Sequence, residues 1–350
     1  SFFQKYCKCL NSFDCTFKIT VNNKNRDMEA LRNEVMLGLR NDGFDEMRES
    51  YNRIIEEKIL EGRQGIEQER YITVTVKRKN FEEAKAQFAT IESTMFKSFA
   101  ELGSRLTPLS GNERLRILHD YYRLGREDEF NFDIRKGKIT GTDFRNEICN
   151  SSIKYYPNCF EDEGKVGRVL FIKKYPTYLS DRFFTELTFL PVHSITSVDV
   201  VPVPKDLTMK MLQKKYLGIE SDIIKQQRTR NRNNDFSSDI SYATRQKKRD
   251  IEEIMNNVRE NDESLYYVSV TMIVMADDRD ELESICKTID SIAKGAGCAV
   301  DTCMYKQREA VNTTLPIGVR QIETMRTMLT QSLAVLMPFN VQERATRFAV

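Results

Sequence analysis

Two long apolar stretches constrain the fold of this chain more than any other feature. Residues 166–175 and 264–276 carry runs of apolar side chains, so both faces of each segment are suited to burial. Strands of this kind lie in the interior of a sheet that is covered on both sides. A helical pattern and a further strand follow each of them, and a long charged helical region separates the two sets. This order predicts a ferredoxin-like split βαβ unit with a long insertion.

The boundaries of this unit, which is the second of two predicted along the chain, follow from the local pattern. Ser180 can cap a helix that runs to residue 190, a β-branched strand covers 194–203, and a helix over 279–296 ends at Gly297 before a strand at 299–304. Two charged helices around a polar run without periodicity predict a projecting helical hairpin. We therefore expect a second α+β unit over residues 166–311, with the helical insertion at about 205–261.

An earlier unit is predicted over residues 1–125. Strands are expected at 15–22, 69–78 and 105–109, and helices at 27–41, 44–61, 81–102 and 112–124, with a turn at 41–43. Asn80 is the expected N-cap of the third helix. Residues 126–165 are weakly patterned and form the predicted connection. Residues 312–350 are expected to be a linker, irregular at 312–319 and helical at 321–337. The predicted class is α+β, with two small sheet-plus-helix units.

Composition narrows the environment of the chain. It has 54 Lys and Arg against 52 Asp and Glu, 40% apolar residues and a mean hydropathy of −0.52. This balance excludes capture of nucleic acid by the whole protein, although a local patch stays possible. No apolar run approaches the roughly 18–20 residues that span a bilayer, and no secretory signal pattern opens the chain. We expect a reducing cytosol or a membrane face, with free cysteines.

Motifs that carry chemistry are not recognisable. The two histidines, His119 and His193, are far apart, and the cysteine spacings do not match a zinc site. The Gly-Lys pairs at 137–138 and 164–165 lack the upstream glycine and the hydroxyl of a phosphate-binding loop. We expect no catalytic residue, no cofactor and no metal ligand in this chain.

Two basic runs at the predicted hairpin tip form a candidate patch for an anionic surface. The favoured interpretation is a solvated helical tip, balanced by the acidic residues that follow it. Contact with anionic lipid or a partner protein comes next, and nucleic acid is not favoured because few aromatic side chains are available for stacking. The patch comprises Arg228, Arg230, Arg232, Arg245, Lys247, Lys248 and Arg249.

Two segments resemble a known family. Residues 173–187 (KKYPTYLSDRFFTEL), followed by a strand ending VVPV at 200–203, resemble the N-terminal region of conjugative-transfer ATPases of type IV secretion systems. These are the TraC/TraE/CagE-like ATPases, in the form found in Gram-positive conjugative elements. Residues 312–343 (NTTLPIGVRQIETMRTMLTQSLAVLMPFNVQE) resemble the stretch that precedes the RecA-like nucleotide-binding domain of that family. The resemblance covers about 166–343 and suggests a junction to the motor at Leu315, Pro316, Pro338, Phe339, Gln342 and Glu343.

The resemblance implies a role for this chain and a reaction for its parent. The phosphate loop of the family lies beyond such a stretch, so ATP and Mg²⁺ are implied for the parent polypeptide and not for any residue here. The corresponding region resembles an assembly module on the cytoplasmic face of the bacterial cell membrane, with inner-membrane channel subunits and other copies of itself as partners. The alternatives are an autonomous nucleic-acid-binding module using the hairpin at 225–249, and a full ATPase whose nucleotide site lies outside this segment.

Overall fold

The computed structural model describes residues 2–25, 36–60, 66–148, 152–176, 179–232 and 242–336. The described residues contain both helices and strands, and the strands form an antiparallel sheet. The predicted α+β class is therefore confirmed. In chain order the elements are α1 Phe2–Asn11, β1 Thr16–Asn25, α2 Asp45–Leu60, β2 Ile66–Thr75, α3 Phe81–Glu101, α4 Gly111–Tyr122, a 3₁₀ turn Glu127–Glu129, α5 Ile134–Thr140, α6 Arg145–Ile148, β3 Ile153–Tyr155, β4 Phe160–Asp162, β5 Lys165–Lys174, α7 Asp181–Thr188, β6 Ser194–Val203, α8 Lys205–Arg232, α9 Tyr242–Glu260, β7 Leu265–Ala276, α10 Arg279–Gly295, β8 Ala299–Thr302, α11 Gln307–Thr314, β9 Arg326–Leu329 and α12 Thr330–Val335.

The ferredoxin-like unit is present in the predicted place. Its four strands lie side by side in the order β8-β5-β7-β6, and every neighbouring pair is antiparallel. This is the 4-1-3-2 order of a split βαβ unit, with α7 and α10 as its two crossover helices. The central strands β5 and β7 are the two segments with apolar side chains on both faces, as the sequence predicts.

The prediction of two separate sheets is wrong, because the strands of both predicted units belong to one sheet. Strand β1 lies between β2 and β6, with Phe17 opposite Val200, and β3 and β4 from the predicted connection extend the other side through β5. Without β1, the outer edge of β6 would expose unpaired backbone groups. The apolar side chains of β1 also continue the buried face of β6.

Each face of the sheet carries its own core. One face packs against α1, α3, α7, α10 and α12, and its core includes Phe17 and Val198 from the strands. The opposite face packs against α4, α11 and the residues after α11, and its core includes Val169 and Ile273. Helices α11 and α12 are only fifteen residues apart, so the chain between them passes from one face to the other.

The predicted helical hairpin is formed by α8 and α9, between the second and third strands of the ferredoxin-like unit. The ammonium of Lys248 in α9 lies 3.0 Å from a carboxylate oxygen of Glu220 and 5.1 Å from the ring centre of Tyr216, both in α8. The two helices therefore pack against each other. Leu212 is buried near the base of the hairpin, whereas most residues farther out are exposed.

Helix α3 begins at the expected cap, where the side chain of Asn80 accepts a hydrogen bond from the backbone N–H of Glu83. Its apolar stripe is buried only at the C-terminal end, at Phe99, while Phe81 is 76% exposed. The strand predicted at 105–109 is not formed, and residues 105–108 instead line an open groove of about 600 Å³ beside Phe96.

The C-terminal helix predicted at 321–337 is wrong for most of its length. Residues 319–325 are irregular, 326–329 form β9, and only Thr330–Val335 is helical. Strand β9 pairs with Leu265–Val268 of β7, a stretch that β5 does not reach because β5 pairs with Thr271–Ala276. Backbone groups that would otherwise be unpaired are thus satisfied, and this pairing outweighs the helical spacing of the apolar residues.

Candidate coupling site around Lys18

One face of β1 is polar although it is buried. Lys18, Thr20 and Asn22 alternate with the apolar residues of the strand, and each of the three is at most 4% exposed. Buried polar groups are costly unless they have hydrogen-bond partners, so this face must be covered by polar atoms. The end of α11 and the residues that follow it supply that cover.

We call residues 315–322 the junction loop. It begins directly after α11, and the ammonium of Lys18 lies inside it. The Lys18 Nζ is 2.5 Å from the carbonyl oxygen of Thr313 and 3.2, 2.9 and 3.0 Å from those of Leu315, Ile317 and Val319. An ammonium has three protons, so the four carbonyl groups share them. The carbonyl groups of four alternate residues, from 313 to 319, are thereby bound to the side chain of Lys18.

A carboxylate accompanies this cation. An oxygen of Asp199 in β6 lies 3.9 Å from Lys18 Nζ, and both side chains are 4% exposed. Burial lowers the pKa of Lys18 to about 8, against the opposing effect of Asp199. Burial likewise raises the pKa of Asp199, while Lys18 acts in the other direction. The two charges therefore stabilise one another in an environment that disfavours each alone.

A chain of hydroxyl groups continues the contact across the sheet. The hydroxyls of Thr20 and Ser197 are 2.7 Å apart, and Ser197 also donates to the carbonyl oxygen of Thr314. The Thr314 hydroxyl in turn bonds that of Thr271 in β7 at 2.9 Å. The last residue of α11 is thus fixed to both β6 and β7.

The junction loop is also closed on itself. Thr73 of β2 donates to the carbonyl oxygen of Pro316 at 3.3 Å, so the loop reaches the edge strand of the sheet. The hydroxyl of Thr313 then accepts the backbone N–H groups of Gln321 and Ile322, at 2.8 and 3.2 Å. Loops with joined ends and internal packing behave as compact units. This one covers strands β7, β6, β1 and β2.

Helix α11 is anchored at its other end by Gln307, which is 2% exposed. Its side-chain oxygen accepts the N–H of Val169 in β5 at 2.8 Å, and its amide nitrogen donates to the carbonyl oxygen of Cys303 at 2.8 Å. Both ends of the segment from 307 to 322 are therefore attached to the sheet. The arrangement suits a rigid connection, and the enclosed ammonium of Lys18 acts as a tether.

The predicted junction residues fall into two groups. Leu315 and Pro316 lie in the junction loop, where Leu315 is 1% exposed and both carbonyl groups accept hydrogen bonds. Pro338, Phe339, Gln342 and Glu343 lie outside the described residues. Sequence reasoning missed Lys18 and Asp199, because a lysine in an alternating strand ordinarily faces solvent.

The predicted basic residues lie in the outer part of the helical hairpin. Arg228, Arg230 and Arg232 belong to the last two turns of α8, and Arg245, Lys247, Lys248 and Arg249 to the first two turns of α9. Lys248 is engaged with Glu220 inside the hairpin. The side chains of Arg228, Arg232, Lys247 and Arg249 are exposed. The structure brings both runs onto one projecting element.

Both histidines are buried. His119 lies 3.3 Å from the carboxylate of Asp120, and burial lowers the pKa of His193 to about 4. Within the described ranges, no cluster of three or more His, Cys, Asp or Glu side chains is placed to hold a metal ion. Seven cysteines in the described part of the chain are free thiols. No helix among the described residues has the length and apolar character needed to cross a membrane.

Comparisons with known proteins leave the site to be interpreted from its geometry. No protein-family model matches the chain, and a search of curated proteins finds no significant match.

Proposed function

We propose that this chain is the non-catalytic N-terminal assembly and docking domain of a type IV secretion ATPase. It would link a motor in the parent polypeptide, which binds ATP and Mg²⁺, to inner-membrane channel subunits and to other copies of itself on the cytoplasmic face of the cell membrane. One observation carries the proposal: the segment with the more specific family resemblance, from residue 312, is the segment bound around Lys18.

A rigid junction is what such a domain needs. Four carbonyl groups of the segment from 313 to 319 are held by one buried ammonium, and Gln307 attaches the preceding helix to β5. The residues that follow are held as well, because β9 pairs with β7 and α12 packs against the sheet, so force applied at residue 336 would reach the central sheet. A flexible linker would lack such contacts and would let the two parts move independently.

Exposed apolar side chains offer surfaces for partners. On α2, Met47, Tyr51 and Ile54 share a helix face and are 71, 41 and 53% exposed. On α3, Phe81 and Phe88 are 76 and 43% exposed. Contiguous exposed apolar residues are unusual on isolated proteins and are typical of interaction sites. These helices support docking and subunit packing.

The first test concerns the absence of nucleotide chemistry. We expect the thermal unfolding midpoint of this chain to be unchanged by Mg-ATP, whereas the parent polypeptide should be stabilised by it. A shift of several degrees for this chain alone would contradict the proposal. A parent sequence without a Gly-Lys-Ser/Thr loop after residue 350 would contradict it as well.

The second test concerns partners. Channel subunits of a Gram-positive conjugative element, solubilised in detergent, should retain the chain in a pull-down assay. The double variant Phe81→Ser/Phe88→Ser should reduce retention. Ile139→Ser is the control, because Ile139 is 87% exposed but lies on α5. Equal retention of the wild type by unrelated membrane proteins would refute specific docking.

A further inference from the structure

The outer part of the hairpin concentrates positive charge that the remainder of the chain does not share. Residues 223–232 and 242–249 contain eight Lys and Arg and no Asp or Glu, whereas the other residues contain 46 Lys and Arg against 52 Asp and Glu. The nearly neutral net charge of the chain is therefore the sum of a net positive outer hairpin and a net negative remainder. Such segregation favours binding of the hairpin to an anionic surface.

The position of these cations on α9 has a cost in helix stability. The partial positive charge at a helix N-terminus favours acidic side chains in the first turn. Helices α3 and α10 follow this rule with Glu82, Glu83, Asp280 and Glu281. Helix α9 has no acidic residue in its first turn and carries four cations in its first two turns. A feature that opposes local stability points to a use outside the fold.

Aliphatic side chains lie beside the cations. At 100° per residue, Leu217, Ile224 and Arg228 fall on one face of α8, and the two aliphatic residues are 62 and 48% exposed. Tyr216 and Glu220, which approach α9, lie to one side of this face, and Glu220 is the neighbour of Ile224 on that side. The outer hairpin therefore presents exposed arginine and exposed aliphatic surface together.

We infer that the outer hairpin binds the surface of an anionic lipid membrane, with its cations on lipid headgroups and Leu217 and Ile224 at the edge of the acyl region. Basic residues combined with aliphatic side chains are typical of membrane-surface helices. Single-stranded nucleic acid is favoured by aromatic stacking surfaces, and Tyr242 is the one exposed aromatic residue in α8 and α9. The inference deepens the proposed function and rests on it for placing the chain at a membrane.

The test is co-flotation of the chain with vesicles of phosphatidylcholine, with and without phosphatidylglycerol. The wild type should float with the phosphatidylglycerol vesicles at low salt, float less at high salt, and stay behind with pure phosphatidylcholine. Reversal of Arg228, Arg232, Lys247 and Arg249 to Glu should weaken binding at least about tenfold. The matched control reverses four exposed lysines elsewhere, namely Lys79, Lys85, Lys97 and Lys138. It has the same net charge and should keep most of the binding.

The outcomes separate the explanations. Failure of the wild type to float, equal flotation with neutral vesicles, or an equal loss in the control would overturn the inference. So would retained vesicle binding in the hairpin variant together with lost binding to a fluorescent DNA duplex, which would assign the patch to nucleic acid. Circular dichroism checks folding, and the same four residues changed to Gln provide a milder variant with the same expected direction. Vesicle binding needs no channel subunits, so its failure is distinguishable from failure of the pull-down.

Discussion

Replacement of Lys18 by methionine tests the junction most directly. Methionine keeps much of the buried chain of lysine but removes three donors and the charge, leaving four carbonyl groups without their shared partner. Hydrogen bonds to charged groups contribute about 1.5–3 kcal/mol each, and local rearrangement recovers part of that. Asp199 also loses its cation, and it relieves this loss by binding a proton. We expect Lys18→Met to lower the free energy of unfolding by about 3–5 kcal/mol.

Chemical denaturation measures that loss, and hydrogen exchange locates it. The amides of Gln321 and Ile322, which are bonded to Thr313, should exchange faster in the variant. The matched control is Lys24→Met, because Lys24 lies on the same face of β1 and pairs at 2.9 Å with Glu69 but is 21% exposed. A partly exposed pair of this kind contributes about 0–1 kcal/mol. If both variants lose equal stability, or if the loop amides keep their protection, the reasoning about Lys18 is refuted.

Three further predictions address the packing of the sheet and the junction loop. Burial lowers the pKa of His193 to about 4, so the unfolded chain binds a proton at higher pH than the folded chain does. Stability is therefore full above about pH 6.5 and should fall by about 3 kcal/mol towards pH 4, and His193→Phe should flatten this dependence in thermal melts. Gly167→Ala places a Cβ 2.6 Å from the sulfur of Met275 and should cost about 1–3 kcal/mol. Gly218→Ala, in open space on α8, should stabilise by about 0.5–1 kcal/mol. A higher denaturation midpoint for the first variant would contradict the first prediction, and a lower midpoint for the second variant would contradict the second. Thr313→Val removes the acceptor for two backbone N–H groups and should cost about 1–3 kcal/mol. Unchanged exchange at residues 321–322 would show that this hydroxyl does not close the loop.

The parts of the fold that could be predicted are those whose signals are local. The ferredoxin-like unit follows from two strands that are apolar on both faces, and the caps at Asn80 and Ser180 follow from side chains that satisfy nearby backbone groups. The single sheet could not be predicted, because nothing in residues 16–25 specifies a partner strand near residue 200. The strand at 326–329 was missed for the same reason: its partner is an edge of β7 left open by the length of β5.

The candidate site was predictable only in part. Family resemblance, and not chemistry, placed Leu315 and Pro316 at a junction, and the structure locates both in the loop around Lys18. The tether itself has no sequence signal, since a lysine between phenylalanine and isoleucine fits an exposed strand position equally well. Its burial depends on a loop about 300 residues away in the chain. Burial by a segment so distant in the sequence leaves no periodic pattern in the residues around Lys18.

The separation along the sequence between Lys18 and its carbonyl partners also determines when these contacts can form during synthesis. Val319 follows Lys18 by 301 residues, which a ribosome adds in roughly 15–60 s at about 5–20 residues per second. Strand β6 is synthesised only part of the way through that interval, and the junction loop that covers the polar face of β1 is absent until its end. A nascent chain that stops before residue 313 would have to keep a lysine and an aspartate in positions built for burial. The junction loop and β9 therefore complete a sheet that begins with β1, and a nascent chain depends on being shielded from aggregation until residues 313–329 emerge.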